Sequence, residues 1–182
     1  MNLDKHLKER GLDVDKYPTT VQVGIDELTK EPCVLFMLYD ATGKLQGFQR
    51  YLPTAGKLRQ GGDPRKARYF TRMFERRRSL CAWGFENIDP SNPDLFITEG
   101  VFDAVSLHNL GHNAIAVLAN NPLPMSNWLN TMHYRTIAVC DGDGAGSKLA
   151  NVTDSAIYLP EGEDCNSMDS ASLQEIIEEF YG

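Results

Sequence analysis

The pattern of apolar and polar positions changes character near residue 90. Ahead of that point, Leu3, Leu7 and Leu12 recur at helical spacing in an otherwise polar opening. Two apolar runs, Cys33 to Tyr39 and Leu45 to Leu52, flank Asp40-Ala-Thr-Gly-Lys44, which reads as a β-hairpin closed by a tight turn. Past the turn formers Asp89-Pro-Ser-Asn-Pro93, short apolar runs alternate with helical stretches. Strands are predicted over 95–98, 114–118, 136–140 and 155–159, and helices over 102–110, 124–132, 145–152 and 173–180, the first of them stopped by Gly111. Such alternation predicts a parallel sheet flanked by helices. The chain therefore reads as α/β, with a small α+β N-terminal subdomain containing a hairpin (residues 1–90) ahead of the parallel-sheet domain (residues 91–182).

Composition adds a boundary to this picture. With 182 residues, 42% hydrophobic and 24% charged, and no internal repeat, the chain is expected to be globular. Its longest apolar runs fall well short of the roughly 20 residues that a membrane span needs. Its opening lacks the pattern of a secretory signal, so a cytoplasmic chain without membrane contact is expected. The cysteines at 33, 81, 140 and 165 lack zinc-ligand spacing and read as reduced thiols, so no zinc is assigned.

The formal charge of -7 conceals a strong polarity. Residues 57–78 hold nine of the 18 basic side chains against only Asp63 and Glu75, a local +7 that leaves -14 for the remainder. No Lys or Arg occurs in residues 151–182, which carry eight acids. Tyr69, Phe70 and Phe74 lie among the basic residues, a mixture suited to phosphates and unstacked bases.

Ligand groups in parallel sheets collect past the carboxyl ends of the strands. The first predicted strand of the second half runs into Glu99-Gly100-Val-Phe-Asp103, and the third runs into Asp141-Gly142-Asp143-Gly-Ala-Gly146. If these two strands are neighbours, Glu99, Asp141 and Asp143 emerge on one rim. Close carboxylates repel by about 4 kcal/mol per pair at a surface-like dielectric, so a cation is required. All-oxygen donors with room for phosphate suit Mg2+ or Mn2+. Lys148, one turn into the following helix, either touches phosphate or faces solvent.

The paired motifs Glu-Gly-x-x-Asp and Asp-x-Asp-x-Ala-Gly resemble the two halves of the topoisomerase-primase (TOPRIM) domain over roughly residues 94–166. The resemblance implies a TOPRIM-type sheet, with Glu99, Asp141 and Asp143 as metal-binding and catalytic acids. Asp103, Gly100 and Gly142 then support the two motifs. Pro160-Glu-Gly-Glu-Asp164-Cys-Asn166 resembles a later element of the family and adds Asp164 as a metal ligand. In the front half, Gly47-Phe-Gln-Arg50, Lys66-Ala-Arg68-Tyr-Phe70 and Ala82-Trp-Gly-Phe-Glu86 resemble, in order, segments of the RNA polymerase domain of bacterial and phage DNA primases. The first is one residue shorter than its family counterpart, and Val117-Leu-Ala-Asn-Asn121 stands where those primases show a Ser-Leu-Gly turn.

By that resemblance the chain is a primase catalytic core that makes short RNA primers on single-stranded DNA from ribonucleoside triphosphates, with Mg2+ or Mn2+ as cofactor. Arg50, Lys66, Arg68 and Lys148 would hold template or nucleotide. A replicative helicase and a zinc-binding recognition protein would be separate partners, since neither a P-loop nor a cysteine zinc module is present. A small version of this kind suits a phage or mobile element. Two other readings use the same residues: a metal-dependent TOPRIM nuclease, and a non-catalytic nucleic-acid-binding or inhibitory module.

Overall fold

The computed structural model describes residues 1–75, 80–118, 122–142 and 147–182. The chain forms two compact units, Met1–Glu86 and Asn87–Gly182. The division also separates charge. The first unit holds 16 basic against 11 acidic residues, a formal +5, and the second holds 2 against 14, a formal -12.

The first unit opens with α1 (Leu3–Glu9), capped by the Asn2 side chain, which accepts from the Lys5 amide. Four strands follow: β1 (Val21–Ile25), β2 (Pro32–Tyr39), β3 (Leu45–Tyr51) and β4 (Tyr69–Met73). They form one antiparallel sheet in the order β1-β2-β3-β4, so the expected β2–β3 hairpin is its centre. Leu3, Leu7 and Leu12 are all buried, as their spacing predicts. The core is closed by Trp83, fully buried between Tyr17 (ring centroids 4.9 Å apart) and Phe36 (6.0 Å). Its indole Nε1 donates to the Thr20 carbonyl at 3.3 Å. Glu86 accepts from the amides and hydroxyls of both Thr19 and Thr20, which ties the end of the unit to the start of β1.

The second unit is a parallel sheet of β5 (Asp94–Thr98), β6 (Ala114–Ala116), β7 (Arg135–Cys140) and β8 (Ser155–Tyr158), in the order β6-β5-β7-β8. Every residue of β5 is buried, as expected of a strand with neighbours on both edges and helices packed over the sheet. The helices are α2 (Val101–Asn109), α3 (Ser126–Leu129), α4 (Ser147–Ala150) and α5 (Ser170–Tyr181). Gly111 ends the α2 segment with a left-handed φ of 86°. The stretch 124–132, expected as one helix, is instead a 3-10 turn (Leu123–Met125) followed by the single turn of α3. Pro122 and Pro124 supply no amide donors there, which shortens the helical ladder. Among the described residues, no helix is long and apolar enough to cross a membrane.

Candidate active site

The site is built at the carboxyl ends of β5 and β7, which pair directly with each other, Ile97 opposite Ala138. That adjacency meets the condition set by the sequence. Glu99 follows β5 by one residue and Asp141 follows β7 by one. The backbone around Glu99 is held on both sides. Its carbonyl accepts the Leu118 amide at 3.2 Å, and the Thr98 hydroxyl donates to the Gly100 carbonyl at 2.9 Å. Gly100 is the N-cap of α2, and Asp103 occupies the third helical position, where the helix dipole favours a negative charge. A Cβ built on Gly100 would lie 2.5 Å from Asp103 Oδ2, so the glycine makes room for that carboxylate.

Gly142 plays a comparable part beside Asp141. Its amide donates to the Glu163 carbonyl at 3.0 Å, and a Cβ there would collide with the Pro160 carbonyl, 2.6 Å from its carbon and 2.8 Å from Glu161 Cα. The loop after β7 is thereby pressed onto the loop after β8. That contact brings in Asp164, whose Oδ1 accepts the amides of Asn166 (2.9 Å) and Ser167 (2.7 Å).

Two buried thiols report on the resulting field. Burial, and then the charges of Glu99 and Asp141, push the Cys140 thiol up to about 11. Cys165, 1% exposed, is raised well above the ordinary thiol range by burial and by Asp103, Asp141 and Asp164. The charge of Asp141 bears on both thiols. The acids at the strand ends offer oxygen donors. Among the described residues, no group of three or more His, Cys, Asp or Glu side chains has the spacing to hold a metal ion. Asp143, the third acid expected from the sequence, lies outside the described residues.

Residues 96–171 match a family model described as Toprim-like. Among solved structures, a DnaG catalytic core matches at 18% identity with a TM-score of 0.70, covering 97% of this chain and 72% of that one. The Escherichia coli primase catalytic core matches at 16% identity with a TM-score of 0.69 over the same shares. The third is a structure of the bacteriophage T7 lagging-strand DNA polymerase interacting with primase domains of two gp4 subunits, bound to an RNA/DNA hybrid and dTTP. It matches at 13% identity with a TM-score of 0.66, covering 95% of this chain and 88% of that one. No curated protein matches the sequence. The fold is that of primase catalytic cores, carried at low sequence identity.

Around the carboxyl-end rim of the parallel sheet the structure adds a residue that sequence patterns missed. Leu118, just past β6, adopts a left-handed φ of 51°, a strained conformation for a leucine, while its amide bonds to the Glu99 carbonyl. No local signal marks it, because leucine is not a turn former. Asn120 and Asn121, which follow it, lie outside the described residues, as do Arg76, Arg77 and Arg78. Lys148 is exposed on α4, immediately after the undescribed part of the Asp-Gly-Asp loop.

In the first unit, the basic residues expected to meet nucleic acid or nucleotide differ from one another. Lys66 is exposed. Arg68 is half-buried, anchored by Nε to the Ala55 carbonyl at 2.9 Å. Arg50 corrects the expectation of a ligand-facing cation. Its side chain is 5% exposed and donates to Asp26 Oδ2 (2.7 Å) and to the carbonyls of Arg65 (2.7 Å) and Ala67 (2.8 Å). Asp26 is held below the usual carboxylate range by that guanidinium and by Thr29, against the opposing effect of burial. Arg50 thus fastens the segment before β4 to the sheet, and its role is in the fold.

Proposed function

We propose that the chain is the catalytic core of a DNA primase, joining ribonucleotides on a single-stranded DNA template by metal-dependent nucleotidyl transfer. The observation that carries this reading is the placement of Glu99 and Asp141 at the ends of paired strands within a fold shared with primase catalytic cores. The carboxylate oxygens at the strand ends fit Mg2+ or Mn2+. Such an ion supplies charge neutralisation for the triphosphate and polarises its α-phosphate.

Asp141, with Asp143 and Asp164, holds that cation, and Glu99 either completes the set or accepts the proton of the attacking 3'-hydroxyl. Asp103 and Gly100 fix the turn that follows Glu99, and Gly142 fixes Asp141 against the β8 loop. Lys66 and Arg68 hold template phosphates, and Lys148 meets the triphosphate. The RNA/DNA hybrid in the T7 structure supports a nucleic-acid ligand. Reading of a start sequence and opening of the duplex are supplied from outside these 182 residues, by a zinc-binding recognition module and a replicative helicase. The setting is the cytoplasm, in the service of a phage or mobile element.

The test mixes the purified chain with single-stranded DNA, four ribonucleoside triphosphates and Mg2+ or Mn2+, and looks for short RNA. Oligoribonucleotides that disappear in Asp141→Asn support the proposal. Strand degradation without added nucleotides, or inertness with helicase and zinc-module partners also supplied, overturns it.

A further inference from the structure

Among the described residues other than glycine, two adopt a left-handed φ, Lys30 at 60° and Leu118 at 51°. Lys30 belongs to the turn between β1 and β2, where its amide donates to the Asp26 carbonyl at 2.8 Å. Leu118 lies two residues past β6, beside the rim that carries Glu99. A bulky residue rarely occupies this region of backbone space, because its Cβ crowds the following carbonyl. Packing of the side chain does little to offset that cost, for Leu118 is only half-buried while the neighbouring Val117 is buried. Such an angle persists where the surroundings impose it.

The end of β5 imposes it here. In a regular strand successive amides point to opposite edges, so of two neighbouring residues only one donates to a given adjacent strand. Past β6 both do. Val117 donates to the Thr98 carbonyl at 3.0 Å and Leu118 to the Glu99 carbonyl at 3.2 Å. With the flanking chain in place, the alternative is a flip of the peptide between Val117 and Leu118. That flip returns the φ of Leu118 to negative values and turns its amide away from β5. The strained angle and the bond to Glu99 are thus two aspects of one peptide orientation.

The bond completes a run of three. The Thr98 carbonyl is taken by Val117, the Glu99 carbonyl by Leu118, and the Gly100 carbonyl by the Thr98 hydroxyl at 2.9 Å and the Ala104 amide at 3.3 Å. A carboxylate on a long side chain loses less freedom on meeting a ligand when its main chain is already fixed. We propose that Leu118 is a positioning residue for Glu99, holding the main chain of that acid in the orientation from which it serves a divalent cation together with Asp141. This rests on the assignment of Glu99 and Asp141 to one metal site.

The test titrates Mn2+ into the full chain and follows the paramagnetic signal of the free ion. Leu118→Val, whose branched Cβ disfavours the left-handed region, is expected to bind Mn2+ about tenfold more weakly than the wild type, and Leu118→Asn, which tolerates that region, within about twofold of it. In a Glu99→Gln background, Leu118→Val is expected to change Mn2+ affinity by less than about twofold, a loss of coupling that general damage to the fold does not produce. A second readout needs no variant: saturating Mg2+ is expected to slow hydrogen exchange at the Leu118 amide, followed by NMR, about fivefold or more. Equal Mn2+ affinity in Leu118→Val and the wild type, an equal loss in both backgrounds, or an exchange rate at Leu118 untouched by Mg2+ overturns the positioning role and leaves the proposed function standing. A wild type that binds no Mn2+ overturns the proposed function and this inference with it.

Discussion

The two rims of the parallel sheet are made from the same strands and treat charge in opposite ways. At the amino ends of β5 and β7, Asp94 and Arg135 face each other in register and form a bidentate pair, Nε to Oδ1 at 2.8 Å and Nη2 to Oδ2 at 2.7 Å. Tyr181 at the end of α5 donates to Asp94 Oδ2 at 2.6 Å, and Arg135 lies 5.3 Å from the Tyr181 ring centre and 5.9 Å from that of Phe180. Every charge there has an opposite charge or a hydroxyl to meet, and the assembly fastens the last helix to the sheet. At the carboxyl ends, Glu99 and Asp141 follow the paired strands β5 and β7 directly, two charges of one sign on neighbouring strand ends. A stretch that gathers like charges opposes its own folding, whereas a neutralised one supports it. The contrast gives one rim a role in stability, and under the proposed function the other carries the chemistry, as the position of ligand sites in parallel sheets leads one to expect.

The largest effect should come from Asp141→Asn, which removes one charge from the acidic rim. Primer synthesis is expected to fall about 1,000-fold or more, the equivalent of several kcal/mol of transition-state stabilisation. The thermal midpoint measured without divalent cations should hold or rise, since a repulsive charge has gone. A fall in stability matching the fall in activity would remove the distinction between the rims.

Gly142→Ala should be next. Its methyl would meet the Pro160 and Glu161 backbone, which cannot move like a side chain, so about 2–3 kcal/mol of stability should be lost in denaturant unfolding along with most activity. Asp94→Asn tests the opposite rim. It should lower the thermal midpoint by about 2–4 °C and leave the specific activity of folded protein unchanged. The bonds from Arg135 and then Tyr181 hold the Asp94 carboxyl below its ordinary range, while burial works against them. A carboxylate whose folded pKa is depressed contributes stability above its unfolded value, near 4, and loses it as the pH falls through the lower folded value. The difference between wild type and Asp94→Asn should therefore be full at neutral pH and shrink on acidification below about pH 4. The smallest change is expected from Lys148→Ala, a rise of about two- to fivefold in the KM for nucleotide with kcat preserved.

The parts of the fold that were legible are those where burial writes a simple pattern. β2, β5 and β7 are apolar runs bounded by turn formers, β3 follows β2 across a tight turn, and α2 ends at a glycine. β1 and β4 left no such trace. Both are edge strands with mostly exposed residues, and β4 lies inside a cationic stretch whose side chains obscure its alternation. Within the site, the order β6-β5-β7-β8 was needed to bring Glu99 and Asp141 to neighbouring ends, and no local signal specifies strand order. Arg50 shows the same limit. It sits in a basic neighbourhood along the chain, but its partner Asp26 is 24 residues upstream and reaches it only through the folded sheet. Tyr51 and Tyr69 likewise become a stack only once β3 and β4 pair.

The central claim, that Glu99 and Asp141 jointly serve one divalent cation, is tested most directly by titrating Mn2+ into the full chain and following free Mn2+ by electron paramagnetic resonance. The account predicts a site in the wild type that is weakened to a similar degree, about tenfold or more, by Glu99→Gln and by Asp141→Asn. A wild type that binds no Mn2+, or a Glu99→Gln variant that binds it as tightly as the wild type, would contradict it.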